Sequence, residues 1–264
     1  MSELWATARE AVRALGDADP GLRRFGAAGH RYALAPPLGT AAIAEAEARI
    51  GALPDELREF ARELAAGGAG PGYGIVPIDR AAAAAHVVTP PARSPATLPW
   101  TRGLPLAHLG CGYTAVVALD GDARGEVWID ARSIGVVRPI HSGVIAMYLD
   151  WIDRLAHARW PEPHVPAGAC ALAAALSGYL ARCEAEHGVA DGALAGAALR
   201  EALERLGPGA IEIAAEPSAG WCAWFDDGDR VDPCIACARL IENLAGEGLR
   251  RDVVAPGALP RPLR

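Results

Sequence analysis

Cys234-Ile235-Ala236-Cys237 is the sharpest chemical signal in this sequence, two thiols three positions apart directly after Asp232-Pro233. Asp-Pro suits a helix start, so the thiols fall in the first turn of a helix. Three readings fit. A helix N-terminus lowers the pKa of the first thiol, which suits a redox pair. Cys222, Cys234 and Cys237 with one more ligand would make a zinc site. Two small thiols on a helix also bury well with no chemistry at all, since free Cys is among the most buried residue types. Against zinc, the sequence has no second Cys-x-x-Cys and no His-x-His pair. Against redox, the βαβ frame expected of a thioredoxin is unconvincing around the pair.

His108-Leu109-Gly110-Cys111 puts an imidazole three residues from a thiol, where a base could generate a thiolate nucleophile. Gly110 and Gly112 flank that cysteine, and they serve equally a chain that enters a hairpin with close backbone approach. The run Gly67 to Gly74 offers backbone amides to an anion. A turn from helix to strand with positive φ accounts for it better. Asp226, Asp227, Asp229 and Asp232 lack the spacing of an EF-hand loop and read as a solvated turn, as do Asp120 and Asp122.

Composition removes whole classes of function. The chain has 264 residues and a net charge of −7, with no Lys, no Gln and a single Asn, Asn243. All 25 basic residues are therefore Arg. Without Lys there is no P-loop, no kinase strand lysine and no Schiff-base site for pyridoxal phosphate. No His-Glu-x-x-His, Gly-x-Ser-x-Gly or Gly-x-Gly-x-x-Gly occurs. The negative balance and the lack of a basic block argue against nucleic acid as a partner. They favour a basic protein partner, because opposite charge speeds encounter. The N-terminal stretch mixes Arg9, Glu10 and Arg13 with apolar residues, unlike a signal peptide, and no run is apolar enough for a membrane span. Six Cys in such a chain read as thiols of a cytoplasmic protein.

The elements that must position these residues follow from periodicity. Leu4, Trp5, Ala8, Ala11, Val12 and Leu15 give an amphipathic helix. Thr40 is expected as the N-cap of a helix ending at Gly51, and Pro54 opens another with Leu57, Phe60, Ala61 and Leu64 on its apolar stripe. Ile75 to Ile78 is a short strand candidate, and residues 81–103 read as a loop. Tyr113 to Leu119 and Gly125 to Asp130 read as a hairpin around Asp120 to Arg124, with Val127 and Ile129 on one face and Trp128 on the other. Ile134 to Ile140 is a further strand, weakened by Pro139. Val144 to Leu155 is a strong helix. Pro161, Pro163 and Pro166 mark a boundary between residues 1–160 and a second unit, 167–264. That unit reads as helices over Cys170 to His187, Ala193 to Leu206 and Pro233 to Leu244. Strands are expected at Ala210 to Ala215, Trp221 to Phe225 and Leu249 to Val254.

Four segments, in order, resemble one family. They are Asp19-Pro20-Gly21-Leu22-Arg23-Arg24-Phe25-Gly26 with His30-Arg31-Tyr32 and Pro36-Pro37-Leu38; Leu53-Pro54-Asp55-Glu56-Leu57-Arg58-Glu59-Phe60 with Gly67 to Gly74; Leu106 to Tyr113 with Gly125 to Asp130; and Tyr148-Leu149-Asp150-Trp151. Together they are similar to the SUKH superfamily, the Smi/Knr-like domains, over residues 20–158. The resemblance implies an α+β fold, mainly an antiparallel sheet with helices packed against it; the residues after about 166 lie outside it and read, from their own pattern, as a smaller C-terminal α/β extension of unknown type. It implies a binding domain that is no enzyme and needs no cofactor. Bacterial members are regarded as immunity proteins that neutralise polymorphic or contact-dependent toxins, and fungal relatives as regulatory scaffolds. The expected partner is thus a protein, a cognate toxin domain, met through residues 67–74, 98–113 and 120–124. Interfaces favour Tyr and Trp anchors. The expected contact residues are Tyr73, Trp100, Tyr113, Asp120 and Asp122, whereas Trp128, Tyr148 and Trp151 fall on apolar stripes and are expected in the core.

Overall fold

A computed structural model describes residues 2–79, 98–131, 136–157, 171–190, 194–213 and 233–255. Its centre is a four-stranded antiparallel sheet in the order β1-β2-β3-β4, made of β1 (Gly103–Gly110), β2 (Tyr113–Ala118), β3 (Val127–Ala131) and β4 (Val136–His141). The fold class is therefore α+β, as expected from the sequence.

Strands β1, β2 and β3 are buried along their whole length. Alternate residues go to different cores, which is the consequence of the two-residue period of a strand. Val127 and Ile129 join the main core with Leu104, Leu106, Ala115 and Val117. Trp128 faces the other way, into a small second core with Trp100, Val116, Ala118 and Ala123. Strand β4 is partly exposed and holds Pro139, which a sheet edge tolerates because an outward N–H has no ladder bond to lose.

The helices cover the main core. Helix α1 (Glu3–Ala18) buries Trp5, Ala8, Val12 and Leu15, one stripe of a 3.6-residue period. Next come the single turn α2 (Ala27–His30), then α3 (Thr40–Ile50) and α4 (Asp55–Glu59), which runs on as a π-helical turn, Phe60–Leu64. Arg9 of α1 donates to the carbonyls of Glu63 and Leu64, satisfying the end of that turn. Helix α5 (Val144–Ala156) buries Val144, Met147, Tyr148, Trp151 and Leu155. Its N-terminus meets the carboxylate of Glu56, which accepts from Ile145 N–H at 3.1 Å. Phe60 sits between α1 and α5, edge-on to Trp5 and Tyr148 at 5.9 and 5.1 Å.

Beyond residue 166 the described elements are α6 (Ala171–His187), α7 (Gly196–Glu204) and α8 (Ile235–Ala245). Leu172, Leu176, Leu203, Ile211, Cys234, Cys237 and Ile241 belong to the same contiguous core as α1 and the sheet. Ile211 and Val254 form one parallel bridge where the sequence suggests two strands. The candidate strand at Trp221 to Phe225 lies outside the described residues, as do most of residues 81–103.

Three local expectations change. The N-cap of α3 is Gly39, and Thr40 is already helical. Ile75 makes single bridges to Gly68 and Ala107, not a strand of its own. Conversely, β1 is a full strand although its residues show no alternation of apolar and polar side chains. All of its residues are buried, and register shifts between Pro105 and Ala107 and between His108 and Gly110 break the two-residue period, so that Leu104, Leu106, Ala107 and Leu109 all join the main core.

Candidate functional site

The four segments that carry the family resemblance meet in space. Asp19 collects the first: its carboxylate accepts from Arg23 N–H, Arg24 N–H and the Tyr32 hydroxyl at 2.8, 3.0 and 2.9 Å. Burial alone would raise its pKa, and these hydrogen bonds outweigh that and lower it. His30 packs edge-on against Trp151 of α5 at 5.6 Å and against Tyr32 at 5.2 Å. Tyr148 Oη donates to Ala69 O at 3.0 Å, tying α5 to the glycine run. Tyr73 of that run touches Phe25 at 5.4 Å and lies over His108 of β1 at 5.5 Å. The run therefore acts as a tightly packed crossing. At Gly72, φ is +60° and an added Cβ would press on His108 O.

The expected contact residues separate into two kinds. Trp100 is 2% exposed and packs edge-on to Trp128 at 5.9 Å. Tyr113, at the start of β2, is 3% exposed and joins the main core. Both are corrections: an aromatic anchor must reach a partner, and these two are spent on the sheet. Tyr73 is half-buried, and its hydroxyl donates to Pro233 O at 2.7 Å. Asp122 is exposed at the tip of the β2–β3 loop. Asp120 braces that loop from within, accepting from Thr101 N–H, Thr101 Oγ1, Arg102 N–H and Arg102 Nε. Burial would raise its pKa, but these donors hold it at about 2. Arg124 ties the other side of the loop to the carbonyls of Leu119, Ala52 and Leu53. The result is a rigid, mixed-charge prominence with Arg102, Asp122 and Arg124 at its surface.

A second cluster was only half visible in the sequence. Cys111, Cys234 and Cys237 bring their sulfurs within 4.8 Å of one another. Cys111 Sγ lies 3.6 Å from Cys237 Sγ, and Cys234 Sγ lies 3.7 Å from Cys237 Sγ. Cys234 is the N-cap of α8, and its N–H donates to Cys111 Sγ at 3.2 Å. Cys111 stands in the β1–β2 turn with a φ of +53°, between Gly110 at +87° and Gly112 at +75°. Two consecutive positive φ values are what a two-residue hairpin of right-handed strands demands. Sequence spacing pointed to Cys222 beside the Cys-x-x-Cys pair, and that residue lies outside the described residues. The missed partner, Cys111, is more than 120 positions away, and its flanking glycines were the available signal.

His108, three residues from Cys111, is fully enclosed in β1, and desolvation pushes its pKa down to about 4. A base that weak holds little proton affinity at neutral pH, which disfavours the Cys–His nucleophile reading. Beside the cluster lies a small open cleft of about 40 Å³, bordered by Gly72, Leu109, His141, Asp150, Arg154 and Ile235. That space fits a few waters. Among the described residues, no helix is long and apolar enough to cross a membrane. No protein-family model matches this chain, and no curated protein matches it.

Proposed function

We propose that this chain is a SUKH-type binding domain that neutralises a toxin domain by covering it, with no chemistry of its own. One observation carries this reading. The four sequence segments that resemble the family are not scattered over the fold but interlock, through His30–Trp151, Tyr148–Ala69 and Tyr73–His108. A chance likeness of short motifs gives no reason for them to pack on one another.

The surface we assign to the partner is the braced β2–β3 loop, with Asp122, Arg102 and Arg124. Arg102 and Arg124 are held by hydrogen bonds before binding, so little of their ordering entropy is lost on contact. The charge of −7 favours a basic partner and a fast, salt-sensitive encounter. Neutralisation is then steric: a bound chain of this size blocks the toxin's own site. The protein would sit in the cytoplasm with its partner, and its binding would need no catalytic cofactor, nucleic acid or membrane.

Co-expression with the product of the adjacent gene tests this. Restored growth and an equimolar complex on purification support it. Growth arrest unaffected by this chain, with no complex formed at low salt, sinks it.

A further inference from the structure

We propose that Cys111, Cys234 and Cys237 are three ligands of a tetrahedral zinc ion that clamps the β1–β2 turn to the start of α8. The inference is independent of the partner-binding reading, and either can fail without the other.

The distances are those of a metal site. Zinc–thiolate bonds are about 2.3 Å, so a tetrahedral ion places its sulfurs about 3.8 Å apart. The separations found are 3.6 and 3.7 Å. A disulfide requires about 2.05 Å and joins sulfurs only in pairs. Here three gather within 4.8 Å, from a hairpin turn and a helix start that are remote in sequence.

The backbone is shaped to bring them together. Cys111 takes the first central position of the β1–β2 turn, whose φ of +53° the hairpin itself requires, and the turn sets its sulfur against the start of α8. Gly110 permits the approach of α8. A Cβ there would lie 2.5 Å from Pro233 O and 2.6 Å from both N and Cα of Cys234. Cys234 and Cys237, at the N-cap and in the first turn of α8, form a chelating pair on one side of the helix. The Cys234 N–H bond to Cys111 Sγ is the outer-shell hydrogen bond that orients a thiolate ligand and stabilises its charge. Tyr73, through its bond to Pro233 O, fixes the same strand-to-helix junction from the other side.

Soft sulfur ligands select zinc over magnesium or calcium. On binding, each of the three thiols gives up its proton and forms one Zn–S bond. Three protons are released per ion, and the fourth tetrahedral position takes a donor from outside this trio. The role is structural: the ion closes a loop of more than 120 residues, and its binding energy becomes folding energy.

The test is elemental analysis of tag-free protein purified with zinc present. One zinc per chain is expected. Cys111→Ser and Cys237→Ser should each weaken zinc binding by at least about 100-fold, beyond the usual about 10–100-fold loss for outer-shell partners. Cys183→Ser, a buried thiol on α6, should leave zinc binding intact. Should the serine variants fail to fold, the unaltered protein still decides. In cobalt-loaded protein, thiolate-to-cobalt charge-transfer bands are expected. Alkylation mapped by mass spectrometry should spare Cys111, Cys234 and Cys237 until a chelator is added. Zinc-free protein with a Cys234–Cys237 disulfide, iron in place of zinc, or full zinc content in Cys111→Ser would each overturn the assignment.

Discussion

The hydroxyl of Tyr73 donates a 2.7 Å hydrogen bond to the carbonyl of Pro233, 160 positions further along the chain. That bond joins the glycine-rich crossing to the residue preceding α8, so the C-terminal helix is fastened to the sheet by a tyrosine on one side and by Cys111 on the other. Tyr73→Phe removes the donor and leaves the ring on His108 and Phe25. A loss of about 1 kcal/mol in unfolding free energy is expected, the usual net value of one such bond. A urea midpoint equal to that of the unaltered protein would show that the bond contributes nothing.

Trp100 and Asp122 separate packing from recognition. Trp100→Ala empties the second core beside Trp128 and should cost about 3–5 kcal/mol of stability. Asp122→Arg, at an exposed position, should leave stability nearly unchanged and slow association with a basic partner, most at low salt. Surface plasmon resonance with the co-purified partner, alongside thermal melts, measures both. Equal association rates for the Asp122→Arg and unaltered proteins would remove this loop from the interface.

Much of the architecture was readable in the sequence because helix stripes and the β2–β3 hairpin obey simple periods. Trp5 to Leu15 and Val144 to Leu155 bury the faces their spacing implies. The alternation at Val127, Trp128 and Ile129 divides two cores as expected. What periodicity lacks is information about cover. Strand β1 has water on neither face, so it shows no alternation, and Trp100 in a proline-rich segment gives no hint that Trp128 waits beneath it. The thiol cluster was half legible for a related reason. Cys-x-x-Cys is local and carries its own signal, whereas the approach of Cys111 depends on how a hairpin turn meets a helix more than 120 residues later.

Stability should fall steeply on mild acidification. His30 and His108 are both buried, and desolvation sets each pKa at about 4 against about 6.5 when unfolded. Between those values the unfolded chain binds more protons than the folded one. Stability is therefore full above about pH 6.5 and declines as pH falls toward 4, by about 1.4 kcal/mol per pH unit for each histidine. Asp120, held at about 2, loses its contribution only below this window. Urea titrations between pH 7 and 5, with excess chelator so that thiol protonation adds nothing, should show this slope. His108→Gln should halve it; half the slope in the unaltered protein would mean that one ring is protonated in the folded state, and a flat profile that both are.

Gly110 and Gly112 offer the cleanest separation of turn strain from metal binding. Both have positive φ, so alanine at either costs about 1–2 kcal/mol of backbone strain. Their surroundings differ. A Cβ at Gly112 meets nothing within 4 Å, whereas at Gly110 it would sit 2.5 Å from Pro233 O and 2.6 Å from Cys234 N. Those are backbone atoms of the junction that leads into α8, so they yield only if the helix start moves away. Gly112→Ala should therefore be modestly less stable and keep its zinc. Gly110→Ala should push Cys234 and Cys237 away from Cys111, breaking the N–H bond to its sulfur, and lower zinc affinity by about 10–100-fold. Competition with a colorimetric chelator ranks the three proteins. Equal affinities for the two alanine variants would mean that the approach of α8 to the β1–β2 turn plays no part in holding the ion.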